Sequence, residues 1–174
     1  KMPSLVICPT SVVFNWESEV QKFIPSLKCL KLSGVERKEL FKEIPKNDII
    51  ITSYALIRRD IEKLKKFEFR YIILDESQNI KNPESQTAKS VKMLNAQHKL
   101  ALSGTPIENK LEELWSVFDF LMPGFLFDAH EFNYRYVTPI MEREDKTVEK
   151  RLKLQIFPFI LRRMKRDVAK DLPD

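Results

Sequence analysis

The sequence predicts an α/β fold: a parallel sheet flanked by helices, followed by a helical appendage. Three observations carry that prediction. Short runs rich in β-branched residues alternate with longer amphipathic stretches up to about residue 122. Two of those runs, Ile49-Ile50-Ile51 and Ile72-Ile73-Leu74, are apolar without interruption, as strands covered on both faces must be. After Pro123-Gly124 the strand signal stops and only helical periodicity continues.

In chain order the strand candidates are Leu5–Cys8, Cys29–Leu32, Asp48–Thr52, Tyr71–Leu74 and Lys99–Leu102. Between them, Val12–Phe23, Glu36–Ile44, Tyr54–Lys65 and Glu84–Leu94 space their apolar residues at helical intervals. Asn82-Pro83 marks the start of the last one. Asparagine caps, proline loses nothing at the first helical position, where its missing N–H has no partner, and Glu84 suits the positive end of the helix. Leu111–Leu121 sets Leu111, Leu114, Trp115, Phe118 and Leu121 on one face. Asp128–Tyr136, Lys146–Phe157 and Phe159–Lys170 are expected to be helical as well. The organisation expected is therefore a sheet domain over 1–122 and a helical extension over 123–174, with no internal repeat, low-complexity stretch or flexible linker.

Composition excludes several classes of function. A chain of 174 residues makes one domain, or one domain with an appendage. Its only glycines are Gly34, Gly104 and Gly124, too far apart to build a G-x-x-x-x-G-K-[ST] phosphate loop or a G-x-G-x-x-G dinucleotide turn. The longest apolar runs, such as Leu5–Cys8 and Tyr71–Leu74, are four residues long, against the roughly 18 needed to span a bilayer, so no membrane partner is expected. Lys1–Ser4 lead straight into such a run, without a basic-then-apolar signal, and export is not expected. Cys8 and Cys29 lack C-x-x-C spacing and read as reduced thiols of a cytosolic-type compartment. His98 and His130 have no ligand-like neighbours. The net charge of +5 is concentrated in the tail, where residues 143–170 carry 10 basic side chains against 4 acidic. That excess suits a polyanion such as nucleic acid, and equally a solvated helix face.

In open parallel sheets, ligands gather at the carboxyl ends of the strands. Tyr71–Leu74 runs into Asp75-Glu76-Ser77-Gln78. One carboxylate at such an exit suits a hard cation, and a second one residue on suits the orientation and deprotonation of a water; acids also end strands with no such role. Lys99–Leu102 ends in Ser103-Gly104-Thr105, where short hydroxyls are within reach of Asp75, Glu76 or Gln78 across neighbouring strand ends and glycine permits a tight backbone; the alternative is an ordinary turn. Leu5–Cys8 ends in Pro9-Thr10-Ser11, with Asn15 and Trp16 a turn later, and Asp48–Thr52 ends in Thr52-Ser53-Tyr54. Hydroxyls at helix N-termini suit phosphate oxygens, but plain N-capping explains Thr10, Ser11 and Ser53 as well. Trp16 reads as core.

Taken in order, these segments resemble the Snf2 family of superfamily 2 helicase-like ATPases. The matching stretches are LVICPTSVVFNWESEVQKF (Leu5–Phe23), IIITSYALI (Ile49–Ile57), YIILDESQNIKNP (Tyr71–Pro83), LALSGTPIENKLEELWSVFDFLMPGFL (Leu100–Leu126) and PFILRRMKRDVAKDLP (Pro158–Pro173). They cover nearly the whole chain. Ser77 departs from the more usual alanine or glycine, and Ile107-Glu108-Asn109 is similar to the bacterial or archaeal branch.

The resemblance implies a RecA-like lobe of a motor that hydrolyses ATP with Mg²⁺ and moves along double-stranded DNA without separating its strands. Asp75 would hold Mg²⁺, Glu76 would activate the attacking water, and Gln78, with Ser103, Gly104 and Thr105, would couple the ATP site to DNA. Pro9, Thr10, Ser11, Thr52, Ser53 and Tyr54 would lie near the phosphates of one DNA strand. Arg162 and Arg163 would brace a helical connection to a second RecA-like lobe, the other partner implied. The glycine-rich Walker A loop and that second lobe do not occur in the 174 residues, so the chain is expected to be a fragment of lobe one that binds nucleotide weakly and turns over essentially none. Its location would be cytoplasmic and nucleoid-associated in a prokaryote, nuclear in a eukaryote. The alternatives are a strand-separating helicase of the same superfamily and a non-catalytic binding module; the Asp75-Glu76 pair argues against the latter.

Overall fold

The structure is a computed structural model that describes residues 2–104 and 111–163. Five strands pair in one parallel sheet: β1 (Ser4–Cys8), β2 (Cys29–Lys31), β3 (Ile49–Ser53), β4 (Glu68–Leu74) and β5 (Asn95–Ala101), in the spatial order β2-β3-β1-β4-β5. Ile7 of β1 lies beside Thr52 on one side and Leu74 on the other, and Leu74 beside Ala101. Four strands therefore finish side by side along one edge, so residues distant in sequence become neighbours there.

The apolar runs make strands because one face of the sheet, and the β1–β3 part of the other, find cover. On one face Leu5, Ile7, Ile50, Ile72 and Leu74 pack against Ile57, Leu64, Ala88, Val91, Val117 and Phe120, which come from α3 (Tyr54–Leu64), α4 (Gln86–Lys92) and α5 (Leu111–Leu121). On the other, Val6, Cys8 and Ile51 pack against Val13 and Trp16 of α1 (Val13–Phe23). At roughly 25 cal/mol per Å² of apolar area removed from water, this cover is the main force holding the sheet. Over β4 and β5 the second face is open among the described residues: Tyr71 and Leu100 are 41% and 45% exposed, and Tyr71 lies against His98 with ring centroids 4.7 Å apart.

Several expected boundaries move. β4 begins at Glu68 because Phe69 is buried between exposed Glu68 and Arg70, a period of two too short to read without its neighbours. β5 starts at Asn95 rather than Lys99, because its polar residues are held by the ladder with β4 and not by apolar burial. The Glu36–Ile44 stretch is a single α turn, α2 (Arg37–Leu40), continued as a 3₁₀ helix through Pro45. The cap of α4 is Ser85, whose Oγ accepts from the Ala88 N–H at 3.1 Å; Asn82 instead closes a local turn by accepting from the Glu84 N–H.

The chain divides into two compact units, the first ending at Asp128 and the second beginning at Ala129. The second unit comprises α6 (Ala129–Phe132), a π-helical turn (Asn133–Val137), α7 (Thr138–Glu142) and α8 (Lys146–Ile156). The Tyr136 ring packs against Phe132 and under the Arg151 guanidinium, and its hydroxyl donates to Gln155 Oε1 at 2.8 Å. Asp145 caps α8 by accepting from the N–H groups of Thr147 and Val148. The helix expected over Phe159–Lys170 does not begin where predicted. Phe157–Phe159 form one 3₁₀ turn, Ile160 is extended at φ −114°, and Ile160–Arg163 are not helical; the remainder lies outside the described residues. No helix among the described residues is long and apolar enough to cross a membrane.

Candidate functional site

β4 delivers Asp75 and Glu76 to the middle of the strand-end row, between the ends of β1 and β5. The Asp75 N–H continues the ladder by donating to the Ile7 carbonyl at 2.9 Å, which fixes the backbone beneath its carboxylate. Asp75 Oδ2 accepts from the Trp16 indole Nε1 at 2.8 Å, and Oδ1 from the Glu76 N–H at 3.0 Å. The Tyr54 hydroxyl donates to the Asp75 carbonyl at 2.7 Å.

Glu76 has left-handed backbone, φ 51° and ψ 58°. A non-glycine residue there carries strain of roughly 1–3 kcal/mol, which persists only where the surroundings enforce it. The enforcing bonds run from the Ser77 N–H to the Leu102 carbonyl at 2.8 Å, and from Asn79 N and Nδ2 to the Glu76 carbonyl at 3.0 and 2.8 Å. Gln78 then bridges two strand ends: its Nε2 donates to Glu76 Oε2 at 2.7 Å and its Oε1 accepts from the Ser103 hydroxyl at 3.2 Å. Ser103, Gln78 and Glu76 form a continuous polar chain, as the strand-end reading expected. Thr105 lies outside the described residues, as does Ile107-Glu108-Asn109. Gly104 lies outside the left-handed region, and a Cβ there would meet nothing within 4 Å among the described residues.

The second cluster lies on the other side of β1. Thr10 and Ser11 are exposed in a 3₁₀ turn, and neither caps a helix; the N-caps are Pro9 and Val12, without side-chain bonds. Ser53, N-cap of α3, is only 2% exposed yet makes no capping bond. Capping therefore does not account for these hydroxyls. Thr10 and Ser53 instead line a cavity of about 510 Å³ together with Ser33, Gly34, Arg37 and Arg59. Arg37 shapes its wall. Its guanidinium clamps Asp60 of α3 at 2.7 and 3.2 Å and donates to the Gly34 carbonyl at 3.1 Å. Hydrogen bonding to Asp60 raises the Arg37 pKa further, so the clamp is permanently charged. Arg59 is exposed at the rim.

Thr52 and Tyr54 do not join this cluster. Thr52 is fully buried and donates to the Leu32 carbonyl at 3.1 Å, and Tyr54, 6% exposed, turns its hydroxyl to Asp75. Strand alternation and helix phase, invisible in a Thr-Ser-Tyr tripeptide, send only Ser53 to the cavity. Burial, and then the Asp75 carboxylate, push the Tyr54 phenol well above its ordinary range, so it remains a donor. Trp16 packs half-buried on the core as expected, but its bond to Asp75 was not legible in the sequence; Asn15 is exposed.

Asp75 and Glu76 fit a magnesium ion of the kind that accompanies nucleotides. Such an ion takes one or two carboxylates and fills its other positions with water and phosphate oxygens, so no dedicated cage is needed. Among the described residues no group of three or more His, Cys, Asp or Glu side chains forms one. Both Asp75 oxygens are already oriented by donors, and each keeps a further lone pair for a cation.

A family model for the SNF2-related domain matches residues 1–174. The chain belongs to the Snf2 family. Its backbone superposes on the Sulfolobus solfataricus SWI2/SNF2 ATPase core in complex with dsDNA with a TM-score of 0.90 and 46% identity, over 99% of this chain and 36% of that one. On the same core domain solved separately, the TM-score is 0.81. Among curated relatives, the TATA-binding protein-associated factor MOT1 of Saccharomyces cerevisiae is 44% identical over 99% of this chain, and the putative ATP-dependent helicase/translocase YwqA of Bacillus subtilis is 42% identical over all of it. The chain spans 10% and 19% of those two relatives' lengths. The fold is thus the RecA-like parallel sheet expected of a Snf2 core.

Proposed function

We propose that this chain is part of the first motor lobe of an ATP-dependent translocase that moves along double-stranded DNA without separating its strands. The observation that carries the reading is the hydrogen-bonded row Ser103–Gln78–Glu76 beside Asp75, at the carboxyl edge of the sheet. Asp75, held by Trp16, is oriented to bind Mg²⁺, which when present neutralises charge on phosphate oxygens during phosphoryl transfer. Glu76 has one oxygen fixed by Gln78, which leaves Oε1 to orient a water and take its proton. Gln78 and Ser103, with Gly104 and Thr105, pass the state of that carboxylate towards the β5 end.

Pro9, Thr10, Ser11 and Ser53, with Arg59 at the rim of the cavity, are the groups available for backbone phosphates, contacts that position DNA without reading its sequence. The dsDNA complex of the Sulfolobus core supports the polymer named here. The ATP-dependent names of the relatives support the nucleotide. Residues 123–174 lead, in this reading, towards the second RecA-like lobe. Work on DNA would suit a cytoplasmic, nucleoid-associated location in a prokaryote or the nucleus in a eukaryote.

Glu76→Gln in the full-length protein tests the assignment. General-base removal costs about 100- to 10,000-fold. DNA-stimulated ATPase is expected to fall by at least about 100-fold while nucleotide still binds, and an unchanged rate refutes the role of Glu76. A duplex-unwinding assay separates the two kinds of motor: robust unwinding would favour a strand-separating helicase.

A further inference from the structure

The two elements proposed above to meet DNA each send a single side chain to the same aspartate. From α1, whose preceding turn carries the exposed Thr10 and Ser11, Trp16 donates to Asp75 Oδ2 at 2.8 Å. From the first position of α3, directly after Ser53 in the cavity wall, Tyr54 donates to the Asp75 carbonyl at 2.7 Å. Tyr54→Phe would delete the hydroxyl and keep the ring, whereas Trp16→Phe would delete the indole N–H together with part of the ring that packs on Val6, Cys8 and Ile51. Both donors are aromatic, two-torsion side chains with little freedom of their own, so a shift of either helix start is transmitted to the far end of the ring rather than absorbed.

We propose that Trp16 and Tyr54 are positioning residues through which contact with the DNA backbone sets the orientation of Asp75. Phosphate bound at Thr10 and Ser11 moves the start of α1, and with it the indole that fixes one carboxylate oxygen. Phosphate bound beside Ser53 moves the start of α3, and with it the phenol that fixes the carbonyl of the same residue. DNA-dependence of metal and nucleotide binding then arises within this sheet, on a route separate from the Ser103–Gln78–Glu76 chain. The inference rests on the reading of Asp75 as the metal-holding carboxylate.

The test uses the full-length protein carrying Tyr54→Phe, which keeps the ring and deletes the hydroxyl, or Trp16→Phe, which keeps an aromatic side chain, smaller than the indole, and deletes the N–H donor. Three quantities are measured: the ratio of DNA-stimulated to basal ATPase, the Mg²⁺ concentration at half-maximal binding of a fluorescent ATP analogue with and without duplex DNA, and the affinity for that duplex by anisotropy. The expected result is a stimulation ratio lowered at least about fivefold and a Mg²⁺ midpoint that duplex DNA shifts severalfold less than in wild type, with DNA affinity within about threefold of wild type. An unchanged ratio and midpoint in both variants overturn the proposal. So does a lowered ratio fully explained by weaker DNA binding, because the two residues would then be DNA contacts and not relays. Should one variant fail to fold, as judged by thermal melting, the other carries the test. Asp75→Asn is measured in parallel. If that variant keeps wild-type ATPase and Mg²⁺ dependence, the metal assignment fails; if it loses both while Trp16→Phe and Tyr54→Phe behave as wild type, only the coupling fails.

Discussion

Asp60→Ala removes one half of the ion pair that ties the Gly34 loop to α3. The Asp60 side chain is 9% exposed and that of Arg37 is 14%, so the pair is nearly dry, and it is joined by two bonds at 2.7 and 3.2 Å. Deleting one partner of a fully buried pair costs about 3–5 kcal/mol, mostly because the other charge is left without compensation. Here Arg37 retains its bond to the Gly34 carbonyl and a sliver of solvent, which brings the expected cost to about 2–3 kcal/mol. For a chain of this size each kcal/mol moves Tm by roughly 2–4 °C, so the predicted shift is about 5–10 °C downward. Thermal and urea unfolding of the 174-residue chain measure it, with Arg37→Met and the Arg37→Met/Asp60→Leu double variant closing the cycle. The double variant should cost less than the sum of the single variants by at least about 1 kcal/mol. A shift below about 2 °C, or strict additivity, would refute the clamp. Because Gly34 lines the cavity, the full-length Asp60→Ala protein should also bind DNA more weakly.

Binding of duplex DNA to the first lobe through about three Lys or Arg contacts to phosphate gives a log–log salt slope near −2.7, hence roughly a 40-fold loss between 50 and 200 mM salt. A slope near zero would contradict phosphate contact. Arg59→Ala should reduce that slope by about one without changing sequence preference, in a filter-binding or anisotropy titration. The 174-residue chain alone should show no steady ATP turnover in a coupled phosphate assay, and measurable turnover would count against its dependence on a second lobe. Burial, followed by the Asp75 carboxylate, pushes the Cys8 thiol up to about 12, and burial with Glu17 takes Cys29 up to about 11. The unfolded chain loses both protons first, so stability should be level below about pH 9 and fall as pH rises towards those values, by up to ~1.4 kcal/mol per unit per thiol. Urea midpoints at pH 8, 9 and 10 check the sign, and Cys8→Ala should lose part of the decline.

Much of the site could be read from residue order because strand ends are punctuated locally. Asp75-Glu76 and Ser103-Gly104 follow apolar runs that read as strands, and a parallel sheet brings such ends to one edge, so a bond from Ser103 to Asp75, Glu76 or Gln78 was within reach of the sequence, and the structure selects Gln78. The direction of each side chain was not within its reach. Thr52, Ser53 and Tyr54 are consecutive, yet one bonds to Leu32, one lines the cavity and one reaches Asp75. The alternation is set by the phase at which β3 passes into α3, and composition carries no trace of it. Edge strand β5 was underestimated for a similar reason, since its polar residues are held by backbone pairing with β4.

The sequence by itself determined the fold class, the strand and helix order and the two acids at the β4 exit, because hydrophobic periodicity and strand-end chemistry are local properties of the chain. Only the tertiary structure decided three further things: the left-handed backbone at Glu76, the Arg37–Asp60 clamp and the convergence of Trp16 and Tyr54 on Asp75. Each depends on bonds between residues more than 20 positions apart, or on strain that distant partners enforce. Such contacts exist only once the strands are ordered β2-β3-β1-β4-β5, so no local signal can announce them.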